Sequence, residues 1–212
     1  MNAIDLLRKQ HDKVADLFDR FEKASKPAEK SEIFEEIAAN LVAHDAIERE
    51  IFYPACEKKM GLTDLLGEAL VEHGVVEFML YRADENLGKE ALDHHVTVLQ
   101  EIVDHHVEEE EKEFFPRVEK AFSKALLEEL GPKMWARFQE AIAADFRGPL
   151  AENLSQVLAG AMKTKPAKKP ARKAPAKRMD AKAKTPKKAS AKSSGALKKA
   201  KSKSSTSRHA HA

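Results

Sequence analysis

Two pairs of histidines recur at one interval: His11 returns as His73 and His44 as His106, with equal offsets (73 − 11 = 106 − 44). The surroundings repeat with them. His44-Asp-Ala-Ile-Glu48 and His106-Val-Glu-Glu-Glu110 share an H-x-x-x-E core, and each runs on into two aromatics and a proline, Phe52-Tyr53-Pro54 and Phe114-Phe115-Pro116. A chain built this way must fold as a duplicated unit about two helices long, with one histidine on the first helix and a His/Glu pair on the second. Two such units facing one another make a bundle with a polar site inside it.

The helical reading rests on apolar spacing. Ile4, Leu7, His11, Val14, Phe18 and Phe21 step by three or four, which puts His11 on the inward stripe of a helix ending near Ala24. Ile33 through Phe52 gives a second long helix that ends near Lys59 and is closed by Gly61. A third opens at Thr63 and Asp64 and carries Leu66, Leu70, His73, Val76, Glu77 and Leu80. A fourth runs from about Lys89 to Ala121. A shorter helix is predicted from the Gly131-Pro132 step past Trp135, Phe138 and Ile142, and no period-two strand pattern occurs. The fold class is therefore all-α: an up-down four-helix bundle with an additional C-terminal helix.

Charge divides the chain. Residues 163–212 hold 18 Lys/Arg against one acid, Asp180, whereas residues 1–162 hold 19 bases against 34 acids. The expected domains are a helical bundle at 1–150, a helix end or linker at 151–162 and a disordered Lys/Ala/Pro-rich tail at 163–212, too poor in large apolar residues to offset its chain entropy. The tail's partner is expected to be double-stranded DNA or another polyanion, bound without base stacking because aromatics are absent from it. Cys56 is the single cysteine, which excludes an intrachain disulfide and a cysteine zinc cluster and fits a reducing compartment. With no apolar leader and no span of membrane length, the expectation is a cytoplasmic protein without membrane contact, associated with the nucleoid if the tail meets DNA.

Residues i and i+4 of a helix project to one side, about 6 Å apart along the axis. His44/Glu48, His73/Glu77 and His106/Glu110 each have that spacing, and His11 adds a fourth imidazole. Seven candidate ligands exceed what one octahedral ion can use. Two ions roughly 3.5 to 4 Å apart can share them, with Glu48 and Glu110 bridging. Mixed imidazole and carboxylate donors suit iron, with manganese second. His105/Glu109 repeats the spacing but lies about 100° round the helix from His106. His94 and His95 read as surface residues, Glu108 to Glu113 as a solvated face apart from Glu110, Tyr53 as a packing residue with a hydroxyl near the site, and Asp45 as an alternate ligand on a rotated helix.

These motifs, His11, His44-x-x-x-Glu48, His73-x-x-x-Glu77 and His106-x-x-x-Glu110 with both Phe/Tyr-Pro endings, resemble the hemerythrin-like (HHE cation-binding) domain over about residues 1–150. The resemblance implies that His11 and His44 hold one iron, that His73, Glu77 and His106 hold the other, that Glu48 and Glu110 bridge them, and that an oxo or hydroxo group completes the pair. It also implies reaction with or sensing of oxygen, peroxide or nitric oxide. Oxygen-carrying members have a histidine where this chain has Glu77, and end on H followed by Asp after four intervening residues where this chain has Glu110 after three. The extra carboxylate favours the ferric state and disfavours reversible oxygen release. The basic tail resembles the Lys/Ala/Pro-rich arms of linker histones. A second function class therefore stands beside the first: a nucleoid-associated DNA-binding protein whose metal site is structural or iron-storing.

Overall fold

The computed structural model describes residues 1–159, and the basic tail lies outside the described residues. Every regular element among them is helical: α1 (Ala3–Lys23), α2 (Pro27–Ile47), α3 (Tyr53–Met60), α4 (Asp64–Asp84), α5 (Ala91–Glu109), α6 (Phe115–Ala121), α7 (Lys124–Ile142) and α8 (Arg147–Leu158). A π-helical turn, Glu48–Phe52, joins α2 to α3, and a second, Glu110–Phe114, joins α5 to α6. These joined segments form continuous rods over 27–60 and 91–121. With α1 and α4 they make the four bundle helices, and the short connections between them force antiparallel neighbours.

The ends are set by local chemistry. The Asn2 side chain accepts from Asp5 N–H at 3.0 Å at the start of α1, and Thr63 Oγ1 accepts from Leu66 N–H at 3.1 Å at the start of α4. Gly61 closes α3 at φ 81, a left-handed conformation that other residues adopt at a cost.

Two elements differ from the sequence pattern. Helix α7 begins at Lys124, well before Gly131-Pro132, capped by Ser123 Oγ, and runs straight through the step. Pro132 forfeits the bond to the Glu128 carbonyl, but both residues are exposed, so the loss is not a buried one. Gly131 is there for packing: a Cβ would collide with the Met1 carbonyl oxygen and lie 2.9 Å from Asn2 C, so the chain start can cross α7 only over a glycine. Helix α8 starts at Arg147, a start absent from the sequence reading, which places only a helix end or linker at 151–162. It runs across position 150, where the sequence pattern places the end of the bundle, and it buries little more than Leu150 and Leu154 against α4. Arg147 ties its start to Glu35 Oε1 at 2.6 Å and to Asp84 Oδ2 at 3.1 Å.

The core is interrupted. One apolar cluster gathers Ile4, Leu7, Ile47, Phe52, Phe114, Phe115 and Met134 at one end, and another gathers Leu17, Phe18, Phe34, Ile37, Leu80 and Leu99 at the other. Between them lies a buried polar layer of Gln10, His11, His44, Asp45, Glu48, His73, Glu77, His106 and Glu110. Polar groups buried in this way cost several kcal/mol each unless partnered, to order of magnitude, so the layer demands an explanation.

Candidate metal centre

The π turns place the two fully buried carboxylates. Tyr53 N–H bonds the Glu48 carbonyl and Phe115 N–H bonds the Glu110 carbonyl, each five positions back. The proline that follows explains why the helix widens there. Pro54 and Pro116 lack an N–H, and their rings would press on the carbonyl four positions earlier in a regular α-helix. The one inserted residue turns the next segment by about 100°. Phe52 with Tyr53, and Phe114 with Phe115, are thereby all buried although adjacent.

The four histidines share one orientation. Each points Nε2 towards Glu48 or Glu110 and Nδ1 away to an acceptor. His44 Nε2 is 3.1 Å from Glu48 Oε2 and His73 Nε2 is 3.3 Å from the same atom. His11 Nε2 is 3.4 Å from Glu110 Oε2, and His106 Nε2 is 3.7 Å from it. On the far side, His11 Nδ1 meets Glu111 Oε1 at 2.8 Å, His44 Nδ1 meets Gln10 Oε1 at 3.0 Å, His73 Nδ1 meets Asp45 Oδ1 at 2.7 Å and His106 Nδ1 meets Glu72 Oε2 at 2.8 Å. An imidazole whose Nδ1–H is donated outward keeps its Nε2 lone pair for an electrophile.

That electrophile fits a cation. His11 Nε2, His44 Nε2, both Glu48 oxygens and Glu110 Oε2 are buried without a hydrogen-bond partner. His11, His44, Glu48 and Glu110 bring one donor atom each within 4.8 Å of one another, and so do Glu48, His73 and His106. Glu48 belongs to both groups, so its carboxylate lies between two candidate ion positions.

Glu77 stands apart from both groups. Its Oε1 accepts from Arg49 Nη1 at 2.8 Å, while its Oε2 is buried and unpartnered. Arg49 also lies 3.4 Å from Asp45 Oδ2, to which Asn153 of α8 donates at 3.2 Å. Asp45 therefore orients His73 and does not face the ion positions. Tyr53, read from the sequence mainly as packing, has a polar role as well. Its hydroxyl donates to Glu110 Oε1 at 3.0 Å and lies 3.1 Å from His73 Nε2.

The charges are mutually dependent. Burial disfavours a charged His11, but Glu110, 3.4 Å from its Nε2, and the charge of Glu48 outweigh it and raise the ring to about 9. Burial likewise opposes charge on His73, and Asp45 and Glu48 override it and raise the ring well above its ordinary value. Glu48 is held well below the carboxylate range by His44 and His73 in spite of complete burial. Glu77 goes the other way: burial and the Asp45 charge push it up to about 7 against the pull of Arg49.

The site opens onto a cavity of about 40 Å³. Its polar wall includes the four histidines, and its remaining wall includes Val14, Leu41, Leu80 and Val103. A void of this size admits a few atoms and no more.

Outside this group, His94 is exposed and His95 donates to the Ala91 carbonyl at 2.7 Å. Sequence reasoning missed the four Nδ1 acceptors, although two carried a signal. Gln10 and Glu72 immediately precede His11 and His73, so they recur at the same interval, and they serve the equivalent His44 and His106.

The model of the hemerythrin HHE cation binding domain matches residues 2–118. Among solved structures, the chain is similar to a hemerythrin HHE cation binding domain-containing protein from Mycobacterium kansasii, with 25% identity, 73% of this chain and 99% of that chain covered, and a TM-score of 0.63. No curated protein is matched at a significant level.

Proposed function

Because this chain belongs to the hemerythrin HHE cation-binding domain family, we propose that it is a non-haem di-iron protein that reacts with or senses peroxide, oxygen or nitric oxide. The observation that carries this is the common orientation of the four histidines, Nε2 inward on Glu48 and Glu110, whose Glu48 oxygens and Glu110 Oε2 have no hydrogen-bond partner, and Nδ1 outward on an acceptor. The proposed ligands are His11, His44, His73, His106, Glu48 and Glu110, and Glu77 offers its free Oε2 as a seventh. Glu48 and Glu110 are the bridging candidates. Imidazole with carboxylate suits iron, with manganese second.

Two irons held by these residues would supply the electrons for reduction of a small oxidant. The protein's own contribution is access and polarity. The valines and leucines of the cavity wall admit a small uncharged molecule and exclude bulk water. The Tyr53 hydroxyl holds a proton on Glu110, 3.1 Å from His73 Nε2. Glu77 stands where an oxygen carrier has a histidine, and its unpartnered Oε2, if it joins the ligand set, would support the oxidised state, which argues for peroxide reactivity over reversible oxygen carriage.

The test is the metal content and near-ultraviolet spectrum of protein purified in air, followed by peroxide addition to the reduced protein. Two irons per chain with charge-transfer absorption, and rapid oxidation by peroxide, are expected. One zinc per chain, or a long-lived oxygenated species cleared by lowering oxygen pressure, overturns the reading. His44→Ala should lose at least one iron, whereas His95→Ala should keep both.

The tail supports a second component on charge alone: with 18 Lys/Arg and one acid at 163–212, it is suited to double-stranded DNA through phosphate neutralisation. Deleting everything after Met162 should abolish retention on DNA and leave the metal spectrum unchanged. Equal binding by the truncated chain overturns it. A truncated chain that holds iron but reduces nothing would favour the nucleoid-associated, iron-storing alternative.

A further inference from the structure

His105 belongs to the motif alphabet of this chain but not to its buried centre. It is 62% exposed on α5, next to His106. Its Nε2 lies 3.6 Å from Glu109 Oε1, one turn on along α5, and 3.6 Å from Glu72 Oε1, which reaches across from α4. These three donor atoms lie within 4.8 Å of one another. Hydrogen-bonded pairs sit at about 2.7 to 3.2 Å, so His105 bonds neither carboxylate. Two ligands held about 2.0 to 2.2 Å from one ion stand roughly 3 to 3.6 Å apart, and His105 stands at 3.6 Å from each carboxylate.

We propose that His105, Glu109 and Glu72 form a separate, solvent-exchangeable site for a single first-row divalent cation. One imidazole and two carboxylates suit zinc, cobalt or ferrous ion better than magnesium or calcium, which prefer all-oxygen sets. Three protein donors leave at least one position for water, and the exposure of His105 keeps that position open. Glu72 borders a solvent-open depression with Asp64 and Glu68, whose charges draw a hydrated cation towards it. The other oxygen of Glu72 is fixed by His106 Nδ1 at 2.8 Å, so the carboxylate is held in place by a bond it does not share with the peripheral cation. The site stands whether or not the buried centre holds iron, because none of its three donor atoms faces that centre.

The probe is cobalt(II), added to the full-length protein after its iron content has been measured. Bound cobalt is counted by elemental analysis after equilibrium dialysis, and its coordination is read from visible d–d absorption. The parent protein should take up one cobalt beyond the buried-centre content. His105→Ala should lose it, and Glu109→Gln should weaken it by more than about tenfold. Both variants should keep their iron and their circular dichroism. His44→Ala should keep the peripheral cobalt while losing buried metal, and His209→Ala/His211→Ala should change nothing. If His105→Ala and Glu109→Gln bind cobalt as the parent does, the proposal is overturned. If no iron is found but His105→Ala still removes one cobalt, the di-iron reading fails and this one holds.

Discussion

The Tyr53 hydroxyl donates to Glu110 Oε1 across 3.0 Å, from one half of the duplication to the other. Phe115 is the equivalent of Tyr53 in the second half and has no hydroxyl; it stacks on His11 with ring centroids 5.8 Å apart. The duplicated centre is therefore chemically one-sided, with a proton donor on the His73 side and a bare aromatic face on the His11 side. Arg49 and Glu77 add to the asymmetry, since their equivalents in the other half are Glu111 and Ala15.

Replacing Tyr53 by Phe leaves a buried carboxylate oxygen without its donor. Tyr53→Phe should cost about 1 to 3 kcal/mol in chelator-treated protein, read from urea unfolding, with iron binding capacity retained at two per chain. Unchanged unfolding would show that the hydroxyl does not stabilise Glu110.

Arg49 is the cation that tolerates Glu77 and Asp45 in the interior, with its own side chain only 18% exposed. Arg49→Met should lower stability by about 3 kcal/mol, the cost of leaving a largely buried acid unpaired. The double variant Arg49→Met/Glu77→Gln should recover most of that loss. Additive losses in the double variant would mean that the pair is not coupled.

The chelator-treated protein should become less stable as pH rises from 6 to 9. His11 titrates at about 9 in the fold against an ordinary 6.5, so its contribution is complete below 6.5 and is lost as pH climbs through 9. His73, also raised, acts in the same direction. Glu77, raised to about 7, disfavours the fold as it ionises between 4.5 and 7. The lowered Glu48 contributes fully above 4.5 and adds no slope in this window. Thermal unfolding against pH reads the trend, and His11→Gln should flatten its upper part. Iron affinity should rise over the same range, since the metal must displace these protons.

Gly131 and Gly67 should respond to alanine with opposite signs. Gly131→Ala drives a Cβ into the Met1–Asn2 backbone and should cost about 1 to 3 kcal/mol. Gly67, in α4 with open space where a Cβ would stand, should gain roughly 0.5 to 1 kcal/mol from better helix propensity. Melting temperatures of the two variants decide it.

The identity of the polar layer is legible in the sequence. A stripe recurring every three or four positions is a local property, so His11, His44, Glu48, His73, Glu77, His106 and Glu110 fall on inward faces from spacing alone, and all seven are buried. The bundle rods follow from the same periodicity. Helix α8 does not, because it buries too few apolar residues to print a period, and the start of α7 is hidden because Gly131 answers to Met1, at the opposite end of the bundle sequence.

What the sequence determined is which side chains face inward, since that depends only on helical pitch and the internal duplication. What the tertiary structure decided is whom they meet. The π turns at Glu48 and Glu110 rotate the succeeding helix by an amount no α-period encodes, and this brings Tyr53 to Glu110. The pairing of Glu77 with Arg49, and of each Nδ1 with Gln10, Asp45, Glu72 or Glu111, depends on how neighbouring rods are rotated and offset. Those quantities are fixed by packing across the core, and packing joins residues that the chain itself keeps far apart.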